Sequence, residues 1–217
     1  MEVFESIKSL QQSLSAIGQN LTIGLVPTMG ALHEGHLSIV RKAQEENDRV
    51  IVSIFVNPTQ FDKKEDLVNY PNTLDADLEV LKSIGCDYVF TPNIQEVYQG
   101  KTRSESFDFK GLDQVMEGKF RTGHFDGVAT IVKKLFNITK PDKAYFGEKD
   151  FQQLLIIKKM VALESIPIDI VSVGIYREDD GLAMSSRNTR LSQEQRLAAP
   201  EIYQTLLKSK KLFQNGD

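Results

Sequence analysis

The fold is decided by the stretch Val26-Pro27-Thr28-Met29-Gly30-Ala31-Leu32-His33-Glu34-Gly35-His36. It follows a short apolar run, Leu21–Val26, and leads into an amphipathic run, His36–Glu46, so it is predicted to turn from a strand into a helix. In α/β proteins, nucleotides bind at such turns, at the carboxyl ends of strands. Gly30 and Gly35 allow the backbone to approach a ligand closely, and the free N–H groups at a helix start favour phosphate. The stretch therefore predicts a nucleotide-binding α/β protein.

Strands and helices are predicted to alternate along most of the chain. Val50–Val56 is almost uniformly apolar and β-branched, as expected for a strand that is covered on both faces of a parallel sheet. Further strands are predicted at Tyr88–Thr91, Lys143–Phe146 and Ile168–Tyr176, with an edge strand at Ser106–Lys110. Helices are predicted at Phe4–Ile17, His36–Glu46, Thr73–Ile84, Val128–Ile138, Phe151–Leu163 and from Ser192 onward, where Gln195 completes a capping box and Pro200 interrupts. The alternation predicts a doubly wound sheet of the α/β class.

Length and composition restrict the classes of protein that remain. A chain of 217 residues with 41% hydrophobic content forms one large domain, or one domain plus a small one. The net charge of −4 argues against a dedicated nucleic-acid binder. There is no run of about 18 apolar residues, as a membrane span requires, and no secretion signal, so a cytoplasmic location is expected. The single cysteine, Cys86, excludes an internal disulfide and is expected to be a buried, inert thiol.

All three histidines of the chain, His33, His36 and His124, lie in glycine-containing segments that are predicted to be loops. A structural zinc site would need His124 as a third ligand beside His33 and His36, and no His-Glu-x-x-His or cysteine pattern supports one. At a phosphate-binding helix start, a histidine has a better use, because it donates hydrogen bonds to phosphoryl oxygens as charge develops. A solvated side chain is the alternative for each of them.

Two further polar clusters are candidates for binding phosphate. Lys149 and Asp150 open a predicted helix after a strand, where the lysine reaches a phosphate and the aspartate accepts from ribose hydroxyls; a surface ion pair is the alternative. Ser185-Ser186-Arg187-Asn188 suits a triphosphate because arginine binds phosphate with two parallel hydrogen bonds. An ordinary capped turn is the alternative for this second cluster.

Two pairs of side chains complete the candidate site. Gln60 and Gln153 both donate and accept hydrogen bonds, which suits a substrate with hydroxyl groups, although exposed glutamines without a ligand fit the sequence too. Asp75 and Asp77 are candidates for holding magnesium, but acids near a helix start more often only stabilise the helix dipole. The metal ligands are therefore left unassigned.

Taken together, these segments resemble the pantothenate synthetase (pantoate–β-alanine ligase) family, whose His-x-Gly-His signature belongs to the nucleotidyltransferase-like superfamily. The matching stretches are Val26–His36, Phe55–Phe61, Tyr70-Pro71, Arg121–Gly127, Tyr145–Gln153 and Met184–Asn188. The resemblance implies a Rossmann-like domain over residues 1–176 that binds ATP and pantoate. Residues 177–217 would begin a small hinged C-terminal lid domain, which is incomplete relative to the family. The resemblance further implies Mg²⁺ bound with ATP, and a homodimer.

The resemblance also implies a reaction in two steps at one site. The carboxylate of pantoate attacks the α-phosphate of ATP, giving pantoyl adenylate and pyrophosphate. The amine of β-alanine then attacks the acyl carbon, giving pantothenate and AMP. ATP, pantoate and β-alanine are thus the expected partners, with neither nucleic acid nor a membrane among them.

The roles of individual residues follow from the same resemblance. Catalysis is assigned to His36 as proton donor, together with His33, Lys149 and Arg187. Pantoate is expected to contact Met29, Asn57, Gln60, His124 and Gln153. ATP is expected to contact Pro27, Met29, Gly30, His33, Gly35, His36, Gly147, Lys149, Asp150, Tyr176, Met184, Ser185, Ser186 and Arg187.

Two other functions remain open from the sequence. A nucleotidyltransferase that makes a dinucleotide or an activated alcohol uses the same His-x-Gly-His loop, but it gives no role to Gln60, to Gln153 or to the Phe-Gly-Glu-Lys-Asp-Phe stretch at 146–151. A non-catalytic nucleotide-binding module is favoured only by the early C-terminus, and the intact histidine, lysine and arginine positions count against it.

Overall fold

Six parallel strands form the central sheet of the computed structural model, which describes residues 1–18 and 20–216 and, at residue 64, the backbone alone. The strands are β1 (Glu2–Phe4), β2 (Ile23–Thr28), β3 (Arg49–Ile54), β4 (Tyr88–Phe90), β5 (Lys143–Gly147) and β6 (Asp169–Val173). Their order across the sheet is β1-β4-β3-β2-β5-β6, and every neighbouring pair is parallel. After β4 the chain crosses to the other side of β2, so the topological switch point lies between β2 and β5. The predicted doubly wound α/β sheet is confirmed.

Helices cover both faces of this sheet. In the described part of the chain they are α1 (Ile7–Ser15), α2 (Glu34–Glu46), α3 (Lys64–Val68), α4 (Leu74–Ser83), α5 (Ile94–Tyr98), α6 (Met116–Phe120), α7 (His124–Thr139), α8 (Phe151–Leu163), α9 (Gln193–Ala198) and α10 (Glu201–Asn215). Short 3₁₀ turns occupy Pro58–Gln60, Leu112–Gln114, Glu148–Asp150 and Ser186–Arg190. One apolar core joins the sheet to α1, α7 and α8, and a second core joins the opposite face to α2 and α4.

The central strands are apolar because both of their faces are buried. Leu25 and Ile51 point into the core on the α7 side, whereas Val26 and Val52 point into the core on the α2 side. Successive residues of a strand face opposite sides of the sheet, so a strand between two helical layers needs an apolar residue at every position. This explains the unbroken apolar run that predicted β3.

Two predictions about local structure are wrong. The edge strand at Ser106–Lys110 is absent from the described structure, where this segment is irregular. Its alternating pattern arises because the rings of Phe107 and Phe109 stack at 5.6 Å and pack on the core. The first helix was predicted to start at Phe4 but starts at Ile7, since Glu2–Phe4 pairs with β4 and the hydroxyl of Ser6 caps the helix by accepting from Ser9 N at 3.1 Å.

Other local predictions are confirmed. Ser192 and Gln195 form the reciprocal capping box at the start of α9, and Pro200 separates α9 from α10. Cys86 is buried, and burial raises the pKa of its thiol to about 12, so it is an inert core residue. Among the residues described, none of the helices has the length and apolarity that a membrane span requires.

Residues after β6 contact one another in a small cluster. The Arg177 guanidinium lies 3.7 Å from the centre of the Tyr203 ring, and Arg196 pairs with Glu178 at 2.6 Å and with Asp180 at 2.5 Å. No described side chain of α9 or α10 is buried. The domain border at residue 176 stays a prediction.

Candidate active site

A cleft lies over the carboxyl ends of β2 and β5, at the switch point of the sheet. Loops that follow β2, β3, β5 and β6 all contribute to its walls, as the sequence predicted. It is lined by every residue that was expected to contact ATP or pantoate except Gly30, whereas Asn188 and the magnesium candidates Asp75 and Asp77 are not among its lining residues. The candidates in the cleft are Pro27, Met29, His33, Gly35, His36, Asn57, Gln60, His124, Gly147, Lys149, Asp150, Gln153, Tyr176, Met184, Ser185, Ser186 and Arg187.

His33 and His36 form a pair at the start of α2. His33 is the N-cap residue, and His36 lies in the first turn of the helix, which starts at Glu34, two residues before the predicted start at His36. Their ring centres are 4.0 Å apart. A Cβ atom at Gly35 would lie 2.9 Å from the His33 ring, so glycine is required there for the ring to lie across the helix start. The spacing of the His-x-Gly-His motif thus brings both rings to the mouth of one helix.

Both of these histidines are neutral at neutral pH. Burial lowers the pKa of His33, and the positive charge of Lys149 lowers it further. Burial, His33 and Lys149 together lower the pKa of His36 to about 3. The Nδ1 atoms of both rings are enclosed and have no hydrogen-bond partner among the described residues. At neutral pH each ring therefore offers one N–H donor and one lone pair rather than a positive charge.

We expect the free energy of unfolding to fall as the pH is lowered below about 6.5, the ordinary pKa of histidine. In the unfolded chain His36 binds a proton near that pH, whereas in the fold it stays neutral down to about 3, so acid favours the unfolded chain over this window. The slope from one such group is roughly 1 kcal/mol per pH unit. Urea unfolding at pH 7.5, 6 and 5 measures it. The variant His36→Gln should show a shallower slope, and an identical slope would contradict the assignment.

The cleft is also lined by the polar side chains that were expected to hold pantoate. The Gln60 side chain donates from Nε2 to the Met29 sulfur at 3.1 Å and accepts from Asn57 Nδ2 at 3.1 Å. Asn57 is only 1% exposed, and its Oδ1 also accepts from the Tyr98 hydroxyl at 2.6 Å. These contacts favour a role for Asn57 in positioning Gln60, rather than the contact with substrate that was expected. Gln60 and Gln153 themselves both line the cleft.

His124 also has a positioning geometry. It begins α7 and is 5% exposed, so it lies in a helix rather than in the predicted loop. Its Nδ1 lies 2.7 Å from the carbonyl oxygen of Gln60 and its Nε2 lies 3.1 Å from Arg121 Nη1. Because a carbonyl only accepts and a guanidinium only donates, the proton is on Nδ1 and the ring is neutral. Burial lowers the pKa of His124, and the positive charge of Arg121 lowers it further, which agrees with a neutral ring.

Arg121 lies in a stretch that carried the family resemblance, but no role was predicted for it. Its guanidinium contacts Glu117 at 2.5 Å and Asp62 at 3.4 Å, and it donates to the carbonyl oxygen of Gln60 at 3.4 Å. It therefore ties α6 and the segment after β3 to the turn that carries Gln60. A lone arginine in a polar loop gives no sequence signal for such a role.

If Gln60 and Gln153 bind pantoate, changing either to leucine should raise the KM for pantoate far more than that for ATP. An unpaired hydroxyl of the bound substrate costs about 1–3 kcal/mol. Steady-state kinetics with each substrate varied in turn measure the difference. Gln152→Leu is the matched control, because Gln152 contacts the backbone at Leu112, Val115 and Glu117 and should lower stability instead. Equal effects on both substrates would remove the two glutamines from the pantoate site.

The cationic candidates, Lys149 and Arg187, line the cleft and lie next to carboxylates. Lys149 Nζ is 3.1 Å from Asp150 Oδ1, so the surface ion pair that the sequence allowed is present within the cleft wall. Arg187 Nη2 is 3.5 Å from Asp66 Oδ2 in α3, and Arg190 Nη1 is 3.0 Å from Asp66 Oδ1. The Arg190 and Arg187 side chains hold the pKa of Asp66 below its usual range.

Two metal sites were considered from the sequence, zinc at the three histidines and magnesium at Asp75 and Asp77. Zinc at His33, His36 and His124 finds no support, because both ring nitrogens of His124 already contact protein groups. Asp77 does not suit magnesium, since both carboxylate oxygens accept backbone hydrogen bonds. Magnesium usually takes one or two carboxylates plus substrate phosphates. The exposed Asp150 carboxylate in the cleft fits that requirement.

Comparisons with known proteins identify relatives of the whole chain. A family profile described as pantoate-beta-alanine ligase matches residues 2–217. The pantothenate synthetase of Christiangramia forsetii is 54% identical over 215 residues, which cover 98% of this chain and 76% of that protein. The pantothenate synthetase of Bacteroides fragilis is 54% identical over 211 residues, covering 97% of this chain and 74% of the relative.

Solved structures show the same fold. The crystal structure of pantothenate synthetase from Thermus thermophilus has a TM-score of 0.93 and 42% identity, covering 100% of this chain and 77% of that chain. The structure of pantoate-beta-alanine ligase from Francisella tularensis, complexed with beta-gamma ATP and beta-alanine, has a TM-score of 0.89 and 41% identity, covering 94% of this chain and 78% of that chain. The Rossmann-like fold that the resemblance implied is therefore confirmed.

Proposed function

This chain belongs to the pantoate–β-alanine ligase family and so is a ligase that forms a carbon–nitrogen bond, and we propose that it acts through a pantoyl adenylate. The observation that carries the proposal is the composition of the cleft. The candidate phosphate-binding groups His33, His36 and Lys149 line the same cleft as Gln60. Family membership leaves no support for the dinucleotide-forming and non-catalytic alternatives.

In the first step the substrate itself supplies the nucleophile. An oxygen of the pantoate carboxylate attacks the α-phosphorus of ATP, a new C(O)O–P bond forms, and the bond to pyrophosphate breaks. The protein then needs no activated side chain, and catalysis comes from alignment and from donors placed where charge develops. Gln60 and Gln153 hold pantoate, while the histidine pair, Lys149 and the 185–187 segment hold the phosphates.

The neutral state of the histidines suits this step. A neutral imidazole donates its single N–H to a phosphoryl oxygen without adding a full charge, and Lys149 and Arg187 supply the positive charge. Because both histidines are half-buried and the Nδ1 atoms of their rings are enclosed, less reorganisation of water accompanies the transfer of charge to pyrophosphate than at an exposed site. His36, whose pKa is the lower of the two, acts as a hydrogen-bond donor, and its assignment as the proton donor stays a prediction.

In the second step the amine of β-alanine attacks the acyl carbon of the adenylate. The ammonium group loses one proton before the attack, the C–N bond forms, the C–O bond to AMP breaks, and the nitrogen loses a second proton to give the amide. Mg²⁺, when bound, neutralises charge on the phosphates of ATP, and Asp150 is the residue that would hold it. A homodimer, a cytoplasmic location and a lid domain beginning at residue 177 stay predictions of the family resemblance.

Oxygen labelling tests the adenylate directly. Pantoate that carries ¹⁸O in its carboxylate is incubated with ATP, Mg²⁺ and β-alanine, and the AMP is examined by mass spectrometry. Attack of the carboxylate on the α-phosphorus leaves one labelled oxygen in AMP, because the bridging oxygen stays with phosphorus when the amine attacks carbon. Label in inorganic phosphate or in pyrophosphate, with none in AMP, would contradict the proposal.

A further inference from the structure

We propose that Asp77 is a positioning residue for the histidine pair, a role that rests on the function proposed above. Asp77 lies in the first turn of α4 and is only 3% exposed. Its Oδ2 accepts from Ala31 N at 2.9 Å, and its Oδ1 accepts from Leu32 N at 2.8 Å. Both carboxylate oxygens thus accept hydrogen bonds from the loop between β2 and α2.

The loop that Asp77 grips has an unfavourable backbone conformation. Gly30 has φ +80° and Ala31 has φ +52°, so two successive residues occupy the left-handed region. Alanine rarely adopts this region, because its Cβ crowds the following carbonyl oxygen. Such a conformation persists only where surrounding contacts hold it, and hydrogen bonds from N–H groups to a carboxylate are among the stronger ones. A Cβ at Gly30 would lie 3.0 Å from Asp77 Oδ2, so glycine leaves room for the carboxylate.

The held loop ends directly at the histidines. Leu32 precedes His33, whose carbonyl oxygen accepts from His36 N at 2.8 Å and from Leu37 N at 3.1 Å. The position of Leu32 therefore sets where α2 starts, and with it the place of both imidazole rings. A shift of the loop would move both donors away from the phosphate together.

Asp77 also contacts Thr73, at the end of the segment that contains the cleft residue Tyr70. The Thr73 hydroxyl donates to Asp77 Oδ2 at 3.1 Å, and Asp77 N donates to Thr73 O at 2.9 Å. Thr73 follows Tyr70, a cleft residue, by a short stretch of chain. Asp77 therefore links the loop before the histidines to α4, which directly follows the segment that contains Tyr70.

Asp75 provides a matched control in the same helical turn. Both acids lie in the first turn of α4 and stabilise the same helix dipole. Asp75, however, is exposed and does not line the cleft. Removing its charge should therefore reproduce any general effect on the helix without releasing the histidine loop.

The test compares Asp77→Asn with Asp75→Asn in the full chain, using pantoate-dependent pyrophosphate exchange and the complete reaction. Asp77→Asn keeps the shape but replaces one acceptor with an NH₂ group that faces backbone N–H donors. We expect kcat to fall about 10²-fold, as for a small misplacement of reacting groups, with the KM for pantoate nearly unchanged. Asp75→Asn should keep the wild-type kcat.

Several outcomes would overturn the proposal. They are a wild-type kcat in Asp77→Asn, a loss in Asp75→Asn of the same size, or a loss that appears only in KM. If Asp77→Asn does not fold, Thr73→Val removes one partner of Oδ2 and should still lower kcat more than Asp75→Asn does; an unchanged kcat there contradicts the role. A wild-type chain without any pantoate-dependent exchange would instead refute the proposed function itself.

Discussion

Replacing His36 or Lys149 with alanine is expected to lower kcat by about 10²–10³-fold, the usual loss on removing one preorganised donor to a developing oxyanion. His36 contributes an N–H at the start of α2, and Lys149 contributes a charge that lies close enough to lower the pKa of both His33 and His36. Since these groups act on charge that develops in the transition state, the KM values should change much less than kcat. Steady-state kinetics with saturating β-alanine measure both.

The fold should survive both of these substitutions. His36 Nδ1 has no hydrogen-bond partner in the described structure, and Lys149 pairs only with its neighbour Asp150. Lys158→Ala, on the exposed face of α8, is the control for loss of a lysine charge. A fall in the melting temperature that accounts for the lost activity would show that His36 and Lys149 are structural.

Changing Gly127 to alanine is expected to damage both stability and pantoate use. Gly127, in α7, packs so closely against the Pro58–Gln60 turn that a Cβ atom would lie 2.3 Å from the carbonyl oxygen of Thr59. Backbone atoms on both sides must then move, at a cost of about 1–3 kcal/mol in the free energy of unfolding. The same movement displaces Gln60, so kcat/KM for pantoate should fall about 10²-fold. Urea unfolding and pantoate-dependent kinetics measure the two effects.

Gly18→Ala serves as the control for this substitution, because a Cβ at Gly18 meets no atom within 4 Å. It should leave both the free energy of unfolding and kcat/KM for pantoate close to wild type. If Gly127→Ala behaves like this control, the close approach of α7 to the Gln60 turn does not position Gln60.

The sequence predicted those parts of the fold whose pattern depends on burial alone. The apolar run of β3 follows from its burial between two helical layers. The helical spacing of α7 and α8 follows from their packing on one face of the sheet. The segment Ser106–Lys110 was wrongly predicted as a strand, because two phenylalanines that pack on a core give the same alternation as a strand. The strand Glu2–Phe4 was missed because its identity comes from pairing with β4, which lies far along the chain.

The sequence predicted which residues line the cleft but not their contacts or their protonation. Glycines, histidines and lysine after strands predicted which loops converge, because parallel strands bring their carboxyl ends to one edge. The neutral state of His36 depends on burial and on Lys149, which are properties of the folded chain. The roles proposed for Asp77 and Arg121 were not predicted for the same reason, since each contacts backbone groups that are distant in sequence.

Pyrophosphate exchange tests the central claim, that this cleft adenylates pantoate, most directly. The protein is incubated with ATP, Mg²⁺, pantoate and labelled pyrophosphate, with no β-alanine, and the label entering ATP is counted. If the claim is correct, exchange depends on pantoate and is lost in His36→Ala. Exchange that proceeds equally without pantoate or with glycerol phosphate in its place, or no exchange under any of these conditions, would contradict it.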